Sequence, residues 1–186
     1  MKKLIIIPFI CLTLLFASCE SGEFDPEKYV GEGLRTAFGA IVDSNQHFYN
    51  DVFVLGHLKA DESKAVKKDG KTYAPVTDKE YAGYDELVSA LKATYTDDCV
   101  TQILDNYDCY TDIDGKLYVD TNKDYTERKG VKWDRDRGVE AEFEGKTENS
   151  FTMEYRFTCG KKDELDEFTF VRVENGYRLT ELQYVD

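Results

Sequence analysis

Between Gly138 and Cys159 the hydrophobic pattern of the chain has a period of two. Val139, Ala141 and Phe143 alternate with Glu140, Glu142 and Glu144, and Phe151, Met153, Tyr155, Phe157 and Cys159 alternate with Thr152, Glu154, Arg156 and Thr158. Successive side chains of a strand point to opposite faces, so each segment has one apolar and one polar side. That pattern fits an antiparallel sheet covered on one face. A third strand is expected from about Glu167 to Glu174. Asn175-Gly176 is a strong hairpin signal, and Tyr177, Leu179 and Leu182 to Val185 supply a last strand.

Ahead of this region the period is helical. Leu34, Phe38, Ile41, Val42, Phe48, Val52 and Leu55 lie near 3.6-residue spacing and predict one long amphipathic helix over residues 30–57, with Gly56 near its end. Ala60 to Gly70 is charged and reads as a loop or a fraying helix end. Tyr73-Ala74-Pro75-Val76 reads as extended, because the residue before a proline is pushed out of the helical region. Leu87, Ala90 and Leu91 mark a second helix. Thr96 can cap a third, whose buried stripe is Val100, Ile103, Leu104 and Tyr107. Asp112-Ile113-Asp114-Gly115 is a turn, and Lys116 to Val119 returns from it as a strand. Helices first and strands afterwards give an α+β domain, with the helices packed on a curved antiparallel sheet.

The N-terminus specifies location. Lys2 and Lys3 precede an apolar run from Leu4 to Ala17, too short to span a membrane comfortably, followed by Ser18-Cys19. Phe16-Ala17-Ser18-Cys19 resembles the bacterial lipobox, in which cleavage before the cysteine leaves it to carry lipid. The expected division is a signal peptide over 1–18, a tether over 19–31 and a single domain over 32–186. The destination is the cell membrane, facing away from the cytoplasm and held only by the lipid on Cys19. Without residues 1–18 the chain has 22 basic against 37 acidic residues, a net charge of −15. Such acidity disfavours nucleic acid and anionic lipid as direct partners.

Candidate chemistry is sparse. Cys99, Cys109 and Cys159 remain after processing, an odd number that permits one disulfide, with Cys99 and Cys109 close enough in sequence for bridging. No pair has zinc spacing. A cysteine hydrolase would have to join Cys99 to His47 or His57, and no glycine-rich oxyanion segment follows the thiol. Asp120, Asn122 and Asp124 suggest calcium, but Tyr125 stands where the sharp turn needs glycine. The expectation is therefore a non-catalytic chain with no metal and no cofactor. Thirteen tyrosines against one tryptophan favour recognition, and Tyr110, Tyr118, Tyr125 and Trp133 stand beside turns or loops.

The order and spacing of several short runs carry a resemblance. Tyr73-x-Pro75-Val76 is followed by Asp78-Lys79 and Tyr81, then Tyr84-x-x-Leu87, Tyr95-Thr96 and Ile103-Leu104. Asp114-Gly115-Lys116-Leu117-Tyr118 and Trp133-Asp134 complete the set. Together they resemble the IseA family of bacterial DL-endopeptidase inhibitors, over about residues 32 to 184. The resemblance implies a cystatin-like cone and a protein that occupies the substrate cleft of NlpC-type cysteine peptidases of the cell wall. On that reading Asp112, Asp114, Tyr118, Asp124 and Trp133 meet the enzyme. The lipid anchor and the three mature cysteines depart from the family pattern. A different class of function is a lipid-anchored module that binds a small ligand or an envelope assembly partner.

Overall fold

The computed structural model describes residues 24–81, 83–123, 141–159 and 162–183. Its first element is a short helix, α1 (Pro26–Tyr29), started by the Asp25 carboxylate, which accepts from Lys28 N–H at 3.2 Å, and by proline in the first turn. Gly31, in extended geometry, separates it from α2 (Glu32–His47). The long helix then widens into a π-helical stretch, Phe48–Phe53, whose end is closed by Val54 and Leu55 N–H groups, both donating to Tyr49 O at 3.1 Å. The buried stripe runs Phe38, Val42, Asn45, Phe48, Val52 and Phe53. The adjacent residues Val52 and Phe53 are both fully buried there. Just beyond, Gly56 passes so close to the helix that a Cβ would sit 3.0 Å from Asn50 O.

The helix pair forms where its sequence signals it, but of the expected stripe Val100, Ile103, Leu104 and Tyr107 the last two are only half-buried and Cys99 is buried in their stead. α3 (Tyr84–Thr94) buries Leu87 and Leu91, and α4 (Asp97–Asn106) buries Cys99, Val100 and Ile103. Thr96 caps α4 by accepting from Cys99 N–H at 3.4 Å, with Asp97 and Asp98 on the positive helix end.

Two four-stranded antiparallel sheets complete the α+β fold. The first has the order β1 (Val66–Lys68), β2 (Lys71–Pro75), β4 (Lys116–Asp120), β3 (Tyr110–Ile113). The second runs β5 (Ala141–Thr147), β6 (Ser150–Cys159), β7 (Lys162–Val173), β8 (Gly176–Leu179). Helices α2 and α3 bridge them, so Phe38, Leu87, Leu117, Phe151 and Phe170 belong to one core. Phe38 sits at its centre, with its ring centroid 4.4 Å from Phe170 and 5.2 Å from Tyr177. The long helix and helix pair against curled antiparallel strands make the arrangement that the resemblance implies.

Several expectations change. Residues 60–70 are not a plain loop. They hold a 3₁₀ turn, strand β1 and an Asp69-Gly70 hairpin, because both residues take positive φ (50° and 81°) as a type I′ turn requires. Asp114-Gly115 repeats the same solution at φ 54° and 76°. In the last hairpin the turn residues are Glu174 and Asn175, since Gly176 pairs with Val173. β7 begins at Lys162, earlier than expected, and β8 ends at Leu179, short of Leu182. The segment expected as tether is packed from Phe24 onward: Val30 is buried, and the Glu27 carboxylate accepts from Phe143 N–H at 2.7 Å. The helical pattern read over 30–57 stops at Phe53.

Candidate functional site

The first sheet carries the hairpin to which the sequence points. β3 and β4 pair Tyr110 with Val119, Thr111 with Tyr118, Asp112 with Leu117 and Ile113 with Lys116. Residues paired directly across an antiparallel ladder share a face. Leu117 and Val119 face the helices and are buried, so Asp112 is on the helix side, at the exposed end of the ladder. Tyr118 is on the opposite face, in register with Thr111 and Pro75. Asp112, Asp114 and Tyr118 thus gather on one hairpin, but Asp112 and Tyr118 point to different sides of it.

The turn is held locally. The Asp112 carboxylate accepts from Gly115 N–H at 3.2 Å, which fixes one oxygen to the turn. Asp114, at positive φ, is exposed at its tip. Cys19, Asp124 and Trp133 lie outside the described residues, as does the side chain of Cys159.

Lysines line the other face. Lys68 Nζ, from β1, reaches Thr111 Oγ1 at 3.4 Å and the Asp112 carbonyl at 3.3 Å. β1 and β3 are opposite edges of the sheet, so one side chain can join them only because the sheet is strongly curled. Inside that curl, Lys71 Nζ lies 2.8 Å from Asp108 Oδ2 and 3.9 Å from Asp120 Oδ2. The hydrogen bond from Lys71 holds the Asp108 carboxyl below its ordinary range and raises the Lys71 ammonium in turn. Tyr73 and Asp120 pair across the same face and are buried there, and burial pushes the Tyr73 phenol up. The hairpin therefore presents acids at its tip and a mixed, largely neutralised surface along its concave side. Lys68 lies in the 60–70 stretch that reads as a loop, although Asp69-Gly70 is the same signal as Asp114-Gly115, and Lys71 just beyond it carries no sequence mark of its partners Asp108 and Asp120.

The cysteine and histidine candidates do not meet as a catalytic pair. Cys99 is 3% exposed, in the core beneath α4, and burial pushes its thiol up to about 11. A protonated, buried thiol is a poor nucleophile. Cys109 is likewise buried as a thiol, so the bridge to Cys99 that the sequence permits is not formed. Both histidines border one cavity of about 320 Å³ with Asn50, Asp51, Gly56, Leu58, Lys59 and Asp78. His47 also borders a cavity of about 330 Å³ between α2 and α3 that includes Glu80, Tyr81 and Thr94.

The proton positions on both rings follow from their partners. His47 Nδ1 donates to Asp51 Oδ2 at 3.0 Å and His57 Nδ1 donates to Leu58 O at 2.8 Å, since each partner oxygen can only accept. His47 Nε2 is buried without a hydrogen-bond partner among the described residues, and its ring stacks on Tyr81 with centroids 6.1 Å apart. Among the described residues no group of three His, Cys, Asp or Glu side chains is arranged to hold a metal ion. Nor is any described helix long and apolar enough to cross a membrane.

Compared with known proteins, the chain matches no family model and no curated sequence.

Proposed function

We propose that this chain is a non-catalytic, lipid-anchored protein of the extracytoplasmic face. In this reading it inhibits or regulates peptidoglycan DL-endopeptidases of the NlpC cysteine type by occupying their substrate cleft. The observation that carries the reading is the β3–β4 turn. It is exposed, acidic at Asp112 and Asp114, and stiffened by the Asp112–Gly115 hydrogen bond. A cleft blocker needs a rigid projection more than a reactive group, because a preordered loop loses little conformational freedom on docking. The burial of Cys99 is in keeping with that role. The order of short motifs that resembles the IseA family supplies the class of target.

The test is cleavage of peptidoglycan stem peptides by purified NlpC-type hydrolases of the same organism, with and without residues 20–186. Dose-dependent loss of cleavage is the expected result. No effect on any of these hydrolases rejects the reading.

One observation favours a second reading, a module that binds a small ligand. The two cavities flanking His47 are each of the size of small-ligand sites, about 330 and 320 Å³. Saturable binding of a wall-derived or other small molecule that is lost in His47→Ala, with hydrolase activity unaffected, would favour it.

A further inference from the structure

We infer that the domain stands on the membrane with its second sheet inward, seated on the aromatic pair Phe24 and Tyr29, and carries the β3–β4 hairpin outward. The inference rests on the lipid anchor of the proposed function and adds an orientation to it.

Chain length is the first ground. Only residues 20–23 separate Cys19 from Phe24. Five Cα steps, at no more than about 3.6 Å each, keep Phe24 within roughly 18 Å of the lipidated residue. From Phe24 onward the chain is fixed to the second sheet. The Phe24 ring lies 5.4 Å from Tyr29 and 5.7 Å from Phe151, and Tyr29 stacks on Phe151 at 5.7 Å. Glu27 pairs with Arg35 of α2 and accepts from Phe143 N–H of β5, locking α1 in place. An anchor on Cys19 therefore holds the body to the membrane by this corner.

The surface at that corner is the second ground. Tyr29 is 36% exposed, one of two large apolar side chains left open among the described residues, and Phe24 beside it is half-buried. The tyrosine ring is of the amphipathic kind that favours the headgroup layer of a bilayer, although its hydroxyl is already hydrogen-bonded with Tyr177, and Phe24 adds apolar surface beside it. The corner is not basic: Lys28 and Arg35 are offset by Asp25, Glu27 and Glu32. Contact with the membrane thus comes from the tether and the rings rather than from charge.

The long helix then measures the distance outward. α2 begins beside the foot, where Arg35 lies over the Phe143 ring at 4.6 Å. Its π-helical continuation ends at the first sheet, where Val52 O accepts from the Tyr110 hydroxyl at 2.7 Å. Helical rise places Arg35 and Val52 roughly 25 Å apart at about 1.5 Å per residue. The Asp114-Gly115 turn lies beside Gly83 at the start of α3, whereas the other end of that helix meets β8 of the second sheet through Thr96 N–H and Leu179 O, so the turn is at the end of α3 away from that sheet.

The full lipidated chain, placed in phosphatidylcholine vesicles containing brominated lipid, tests the orientation. Fluorescent labels go on Lys28→Cys or Asp114→Cys, with the unsubstituted chain correcting for labelling at native cysteines. Quenching of at least about twofold at position 28, with none at 114, is expected. Thirty Gly/Ser residues inserted after Gly22 should bring the two positions to equal quenching. Equal quenching in the chain without the insert, or stronger quenching at 114, overturns the orientation while leaving the anchor intact. A mass spectrum of the same sample that shows no lipid on Cys19 overturns the anchor and the orientation together.

Discussion

The Tyr95 hydroxyl donates to Asn45 Oδ1 at 3.0 Å, deep in the core, where the two residues are 1% and 0% exposed. The same oxygen accepts from Gln183 N–H, and Asn45 Nδ2 donates to Gln183 O, each at 3.0 Å. One amide on α2 thereby ties the end of α3 to the C-terminal segment. Asn45→Ala leaves a buried hydroxyl and two backbone groups without partners and should cost about 2–4 kcal/mol. Tyr95→Phe should cost about 1 kcal/mol. Urea unfolding checks both, and because they share one network the double substitution should cost less than the sum.

Phe38 is fully buried among Phe143, Phe151, Phe170 and Tyr177. Removing its ring empties the place where α2 meets the second sheet. Phe38→Ala should lower stability by about 3–5 kcal/mol, read as a lower urea midpoint.

Stability should fall as the pH rises from 9 to 11. Burial raises the Cys99 thiol to about 11 from an ordinary 9.0, so over this interval the unfolded chain has lost that proton and the folded chain keeps it. Fewer bound protons in the unfolded state mean that unfolding becomes easier with rising pH. Below pH 9 the effect is absent. Burial also raises the Tyr95 phenol, which extends the decline to higher pH. Thermal melts across the interval, flatter in Cys99→Ala than in the parent chain, check the assignment. Iodoacetamide at pH 8 should modify Cys99 only after unfolding.

Charge and turn structure can be separated at the hairpin. Asp112→Asn keeps an oxygen for Gly115 N–H, and Asp114→Asn tolerates positive φ, so the paired change removes two charges and keeps the turn. The expected result is unaltered thermal stability with at least about tenfold weaker inhibition of the target hydrolase. Asp114→Val should instead cost about 1–2 kcal/mol through its backbone alone.

What the sequence made legible was whatever depends on local rules. The Thr96 cap, the Leu87 and Leu91 stripe, the Asp114-Gly115 turn and the alternation through Phe151 and Met153 all follow from spacing within a few residues. The strand β1 was hidden because Val66-Lys67-Lys68 is exposed at all three positions, so burial leaves no alternation to read. The switch to π geometry at Phe48 was also hidden, since apolar spacing does not report which carbonyl each N–H will choose. At the hairpin, composition marked Asp112, Asp114 and Tyr118, but only the register reveals that Asp112 and Tyr118 face apart. Lys68 was out of reach in another way, because its approach to Thr111 depends on the curl of the whole sheet.

The hydrogen bond from Phe143 N–H to Glu27 has a consequence for the many copies that the proposed lipid anchor would hold at one surface. It blocks part of the outer side of β5, and Thr96 N–H does the same for β8 by donating to Leu179 O at 2.9 Å. Across the molecule, β1 exposes Lys67 and Lys68, whose charges repel the same strand of a neighbour. Anchored proteins share a thin layer and meet far more often than they would in solution. With three of the four sheet edges occupied or charged, strand pairing between neighbouring copies is disfavoured along β1, β5 and β8, which leaves β3 as the remaining edge.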